Sequence, residues 1–115
     1  TVQTLKELDQ YAPRGEEGHI FIAAIDGCAG NLNLIRQGAT DQASGQPIPD
    51  FGSMVVEYIQ KKLNGEAIEE GQVVQEGALW SPAQLKMTDV GFQLFLSTTD
   101  ISIDNIDNPG LWGNQ

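Results

Sequence analysis

The first quarter of the chain changes from helical spacing of apolar residues to a continuous apolar run. Val2, Leu5 and Leu8 lie three residues apart, which predicts a short helix that ends before Pro13. Residues 20–25 (IFIAAI) are apolar throughout and are too few for a typical buried helix. We therefore predict a fully buried parallel strand there, followed directly by Asp26 and Gly27.

Apolar spacing predicts two further helices and several strand-like stretches. A short helix covers about residues 30–37 and stops at Gly38, because glycine readily adopts the left-handed conformation that ends helices. A longer helix starts at the capping residue Asp50 and runs to Gly65, with apolar residues at helical spacing: Phe51, Met54, Val55, Tyr58, Ile59 and Leu63. Residues 72–74 and 91–103 contain strand-like stretches, and an irregular tail is predicted from Pro109 onward.

Charge and composition narrow the classes of partner. The 115 residues make about one domain, and 16 acidic against 6 basic residues give a net charge of −10. Such a chain repels nucleic acid and anionic membrane surfaces, and no apolar stretch approaches the roughly 20 residues that span a bilayer. Cys28 has no disulfide partner, and His19, beside acidic neighbours, is expected to be exposed. We predict no metal site and no cofactor.

Asp26 is the leading candidate for contact with a ligand. In open α/β sheets, ligands bind outside the carboxyl ends of the strands, where side chains and helix amino termini converge. An Asp-Gly pair after a strand is also typical of a plain turn. Gln46, taken alone, is typical of a solvated loop residue because it precedes Pro47. Trp112 could stack on an apolar face of a ligand, but tryptophans in small domains are more often packed anchors, and we expect a structural role for it.

The order of these motifs resembles the carboxyl-terminal part of type I periplasmic sugar-binding proteins, the solute-binding components of ABC sugar importers. An apolar strand ends in Asp26-Gly27, and a helix ends at Gly38. A polar segment, which in this family crosses between the two lobes, then ends at Gln46, and a further helix ends at Asn64-Gly65. The ending ISIDNIDNPGLWGN is also similar to the endings of many members. The resemblance covers residues 19–65 and 97–114 well and the stretch between them loosely.

The resemblance implies an α/β fold in which helices flank a parallel sheet, as part of a periplasmic-binding-protein-like lobe. Residues 1–45 and 75–115 would belong to the carboxyl-terminal lobe and residues 46–70 would contribute to the other lobe. The chain would then be a fragment of a two-lobed receptor, completed by a missing amino-terminal lobe or a second chain. Its crossing segment, TDQASGQ, has only Ala43 as an apolar residue, which predicts a weak or irregular strand.

The function implied is binding of a monosaccharide or related polyol and its delivery to an ABC transporter permease. The protein would be periplasmic, or extracellular and lipid-anchored. In such receptors the residues that match Asp26 and Gln46 hydrogen-bond sugar hydroxyls. The residue types suit that role, because a carboxylate accepts from two vicinal hydroxyls while a glutamine amide both donates and accepts.

Two other functions remain open at this stage. The effector-binding region of a lactose-repressor-like transcription regulator would share the fold and a similar aspartate after the same strand. An enzyme, for instance a hydrolase with Asp26 as base, would need a matched second carboxylate or a nucleophile and base, and the sequence shows neither. We therefore predict a binding protein and no enzyme, and leave the identity of the sugar open.

Overall fold

The computed structural model describes residues 1–115. The elements, in chain order, are α1 (Val2–Glu7), β1 (Ala23–Asp26), α2 (Ala29–Arg36), β2 (Gln42–Gly45), α3 (Ile48–Leu63), β3 (Gly71–Val73), β4 (Ala83–Thr88), β5 (Gly91–Phe95), β6 (Thr99–Ile101) and a final 3₁₀ turn (Trp112–Asn114). They form two units, one of residues 1–46 and 100–115 and the other of residues 47–99. None of the helices combines the length and the apolar character needed to cross a membrane.

The first unit is built on a parallel strand pair joined by a helix. β1 and β2 pair from Ala23 opposite Gln42 to Asp26 opposite Gly45, and the strand order in this sheet is β1-β2-β6. Helix α2 connects the two strands and buries Leu32 and Ile35 completely. The other buried apolar residues of this unit are Ala39, Ala43, Ile101, Ile106 and Leu111.

The strand predicted over residues 20–25 is shifted and is not buried. β1 starts only at Ala23, because its ladder with β2 begins there. β1 also lies at the edge of its sheet, with a strand on one side only. Phe21 is 63% exposed and Ile25 is 66% exposed. The prediction of a fully buried strand is therefore wrong.

β2 is more regular than its composition suggests. All four residues of the strand pair with β1, although only Ala43 is apolar. Gly45 is buried, and its Cα would lie 3.2 Å from a Cβ placed on Gly27. Small side chains here therefore allow the backbones of neighbouring segments to approach closely.

The second unit packs helix α3 and an antiparallel sheet with strand order β3-β4-β5. Its buried apolar residues are Trp80, Met54, Ala83 and Leu85. Partly buried apolar residues pack against the first three: Val73, Ala78, Leu94 and Leu96. Helix α3 begins at Ile48, two residues before the predicted cap, and Asp50 lies in its first turn. Pro49 is compatible with this position, since the first-turn amides have no helical partner in any case.

The predicted fold class, a parallel sheet flanked by helices, is wrong. The chain has two small sheets, and one of them is entirely antiparallel. Parallel strands need a crossover connection of a dozen or more residues, usually a helix. The short turn from Thr88 to Gly91 between β4 and β5 permits only an antiparallel hairpin.

Candidate functional site at the carboxyl ends of β1 and β2

The structure brings Asp26 and Gln46 together where the parallel strands β1 and β2 both terminate. We call this carboxyl end of the first sheet the site edge. Asp26 is the last residue of β1, and Gln46 directly follows Gly45, the last residue of the parallel strand β2. The backbone amide of Gln46 donates a hydrogen bond to the carbonyl oxygen of Asp26 at 3.2 Å. The two candidate residues are therefore direct neighbours, although twenty positions separate them along the chain.

Asp26 adopts a backbone conformation that is uncommon for a residue with a side chain. Its φ is +87°, and φ of the following Gly27 is +69°. Aspartate tolerates this region better than most residues, but such conformations cost on the order of 1 kcal/mol or more and are enriched at functional sites. The residue is exposed, and no group of the protein hydrogen-bonds its carboxylate. An accessible carboxylate with free acceptor capacity thus lies at this edge.

Gly27 has a structural requirement of its own. A Cβ at this position would lie 2.6 Å from Cδ1 of Ile101 and 3.2 Å from Cα of Gly45. A side chain here would require the Ile101 side chain to rotate away and the Gly45 backbone to shift slightly, and the φ of +69° would strain any residue with a Cβ. The Asp26-Gly27 pair is therefore more than a simple turn, because Gly27 also packs closely against Gly45 of β2 and the side chain of Ile101 in β6.

Residues 106–114, the C-terminal tail, contact this edge. The indole Nε1–H of Trp112 donates to the carbonyl oxygen of Asp26 at 2.6 Å. A Cβ on Gly113 would lie within 3 Å of backbone atoms of Gly27, Cys28 and Ala29, so the tail packs directly on the start of α2. Trp112 is half-buried, as expected for a structural anchor.

Polar contacts with the last turn of α2 fix the tail. Arg36 donates to a carboxylate oxygen of Asp107 at 2.8 Å, to the carbonyl of Ile106 at 3.2 Å and to Oδ1 of Asn114 at 2.9 Å. Nδ2 of Asn114 donates to the carbonyls of Ile106 and Asn108 at 2.8 and 2.9 Å. Sequence reasoning did not assign roles to Arg36 and Asn114. The WGN ending contains Asn114 and could have indicated it, whereas nothing in the local spacing indicated the contacts of Arg36.

His19 is not the exposed residue that its acidic neighbours suggested. Its Nδ1 lies 2.8 Å from the carbonyl of Ala12, and its Nε2 lies 2.9 Å from a carboxylate oxygen of Asp41. The other oxygen of Asp41 accepts a hydrogen bond from the Ile22 amide at 2.8 Å. The pair thereby ties the segment before β1 to the residue before β2.

The surroundings of this pair favour its charged forms. Both ring nitrogens of His19 face acceptors, and only the imidazolium donates from both. The hydrogen bond to Ala12 and then that to Asp41 raise the pKa of His19 above its usual value. Burial acts to raise the pKa of Asp41, but the hydrogen bonds from Ile22 and His19 outweigh it and lower that pKa.

An apolar groove of about 480 Å³ lies within the second unit. Its lining comes from α3, β4, β5 and their flanking residues, and only Tyr58 and Lys62 bring polar groups to it. A polyhydroxylated ligand needs several donors and acceptors, and this groove does not offer them. It is therefore a poorer candidate for sugar binding than the edge that carries Asp26 and Gln46.

No group of three or more histidine, cysteine, aspartate or glutamate side chains is arranged to hold a metal ion. Comparison of the chain with protein-family models and with curated proteins gives no match.

Proposed function

We propose that the chain binds a monosaccharide or related polyol at the edge formed by Asp26 and Gln46, as part of a solute receptor of an ABC importer. One observation carries this proposal. Two side chains suited to sugar hydroxyls lie at the carboxyl ends of adjacent parallel strands, and the backbones of these two residues are joined by a hydrogen bond. Ligands characteristically bind at such an edge.

The chemistry of the edge favours a neutral, polyhydroxylated ligand. The Asp26 carboxylate can accept from two hydroxyls, and the Gln46 amide can donate to one oxygen and accept from another. An anionic ligand would be repelled by the Asp26 carboxylate and by the net charge of −10. A sugar or polyol has the hydroxyls that these groups need and carries no charge.

The transport role is supported by the sequence resemblance, through the Asp26-Gly27 motif and the LWGN ending. In that role the receptor would be periplasmic, or extracellular and lipid-anchored. It would pass its sugar to a membrane permease, and the ligand site would catalyse no reaction.

The decisive variant is Asp26→Asn. Asparagine also tolerates a positive φ, so this change removes the charge with little effect on the backbone. A hydrogen bond to a charged group contributes about 1.5 to 3 kcal/mol, so we expect sugar affinity to fall roughly tenfold to a hundredfold. Asp26→Ala should largely abolish binding. Calorimetric titration with aldopentoses, aldohexoses and polyols measures both effects.

The matched control is Asp104→Asn, which removes one charge from another exposed aspartate of the same unit. It should bind the sugar as the wild type does. Unchanged affinity in Asp26→Asn would remove Asp26 from the site. If the wild type, titrated alone and joined to the amino-terminal lobe that the resemblance implies, binds none of these compounds, the sugar proposal is wrong. The effector of a transcription regulator or a non-sugar solute then becomes the better hypothesis.

A further inference from the structure

Three segments of the first unit meet at one backbone atom, the carbonyl oxygen of Asp26. That oxygen accepts the backbone amide of Gln46 at 3.2 Å and the indole N–H of Trp112 at 2.6 Å. One backbone atom of Asp26 is thus hydrogen-bonded both to Gln46, the second residue proposed to contact the ligand, and to the C-terminal tail. The indole contact is much the shorter of the two.

The position of Trp112 is itself determined by its neighbours in the tail. Gly113 lies so close to the backbone of residues 27–29 that no side chain fits there without a shift. Asn114 is held by Arg36 and by two carbonyls of the tail. The indole N–H is therefore presented to Asp26 by a segment with little freedom to move.

We propose that the C-terminal tail is a positioning element of the ligand site, in which Trp112 holds Asp26 in its left-handed conformation. The part of this inference that concerns sugar binding rests on the function proposed above. Two consequences follow. Sugar affinity depends on the Trp112 N–H, and the fluorescence of Trp112 responds when a ligand engages the Asp26 carboxylate.

The two tryptophans of the chain provide a matched pair of variants. Trp112→Phe keeps an aromatic ring and removes the N–H. Trp80→Phe makes the same chemical change in the second unit, where the indole nitrogen is buried and has no hydrogen-bond partner. Each variant also leaves a single tryptophan as the source of tryptophan emission.

Both variants of the full chain are titrated with D-ribose, D-xylose, D-glucose, D-galactose and myo-inositol. We expect Trp112→Phe to bind the preferred compound about 2- to 10-fold more weakly, the range that the loss of one ordinary hydrogen bond implies. Trp80→Phe should keep the wild-type affinity, and its remaining tryptophan should change emission on saturation. The tryptophan of Trp112→Phe should show no such change.

Equal affinities of Trp112→Phe and the wild type, with unchanged emission of Trp112 on saturation, would overturn the inference and leave the proposed function intact. If no compound binds the wild type, either alone or joined to the lobe that the resemblance implies, the proposed function fails and amide NMR decides the role of the tail. Trp112→Phe should then shift the Gly27 and Gln46 amide resonances and speed hydrogen exchange at Gln46. Unchanged resonances and exchange would overturn the inference.

Should Trp112→Phe not fold, Asn114→Ala, which loosens the tail without altering Trp112, is tested by the same measurements and should give the same direction of change.

Discussion

The substitution Gly113→Ala tests how tightly the C-terminal tail packs on the start of α2. In the structure, a Cβ at this position would overlap the carbonyl oxygen of Gly27, and it would lie 2.8 Å from the carbonyl carbon of Cys28 and 2.9 Å from the amide nitrogen of Ala29. All three are backbone atoms, so no side chain can rotate away to make room. Either the C-terminal tail or the backbone of residues 27–29 must therefore move.

The size of the effect follows from this geometry. An ordinary van der Waals separation requires a displacement of about 1 Å. A shift of that size would lengthen the 2.6 Å hydrogen bond from Trp112 to Asp26 and disturb the contacts of Asn114. Overpacking of this kind typically costs about 1 to 3 kcal/mol, and each lost hydrogen bond contributes about 0.5 to 1.5 kcal/mol within that range.

Urea unfolding followed through Trp112, in a Trp80→Phe background, measures the stability of the first unit. We expect Gly113→Ala to lower its free energy of unfolding by about 1 to 3 kcal/mol. Gly30→Ala is the control within the same unit, because its Cβ would meet only Sγ of Cys28 at 3.8 Å. That change should be neutral or stabilise α2 by up to about 1 kcal/mol. A Gly113→Ala protein as stable as the wild type would refute the close packing of the tail.

Two further predictions concern the first unit. The pKa of His19 is higher in the folded state than the ordinary value of about 6.5 that applies to the unfolded chain. The contacts of His19 therefore stabilise the fold fully below about pH 6.5, and this stabilisation is lost as the pH rises through the raised pKa. The urea midpoint should therefore fall with rising pH near neutrality in the wild type and stay flatter in His19→Gln; equal pH dependence of the two proteins would contradict the pairing with Asp41. Ile35→Ala, at a side chain that is 0% exposed, should cost about 2 to 5 kcal/mol in calorimetric or urea unfolding. Leu8→Ala, at 60% exposure, should change stability by less than about 0.5 kcal/mol, and similar losses in both variants would contradict the core described for this unit.

Helices were the elements that could be predicted well from the sequence. The helix expected over residues 30–37 is α2 (Ala29–Arg36), and the apolar spacing up to Leu63 corresponds to α3. Helical hydrogen bonds are local, so spacing, prolines and glycines within one segment are sufficient to indicate them. The start of α3 was misplaced by two residues, since Asp50 is a good cap but Pro47 precedes the first turn.

Strands were predicted less well because their partners are distant in the chain. β4 (Ala83–Thr88) was missed, although AQLKMT alternates between apolar and polar residues as an antiparallel strand does. The apolar run before Asp26 suggested a buried parallel strand, whereas β1 lies at a sheet edge. Burial of a strand depends on what covers its two faces, and its own residues do not specify that.

The features of the candidate site likewise fall into those that the sequence shows and those that depend on the tertiary structure. The sequence by itself determined that a carboxylate follows an apolar segment at Asp26, that Gly27 follows it, and that the chain is too acidic to favour anionic partners. Only the tertiary structure decided that Gln46 lies beside Asp26, that Trp112 donates to the Asp26 carbonyl, and that His19 pairs with Asp41. Composition and local spacing are properties of neighbouring residues. These contacts join residues 20 to 86 positions apart, and they form only when strand pairing and the packing of α2 bring the segments together.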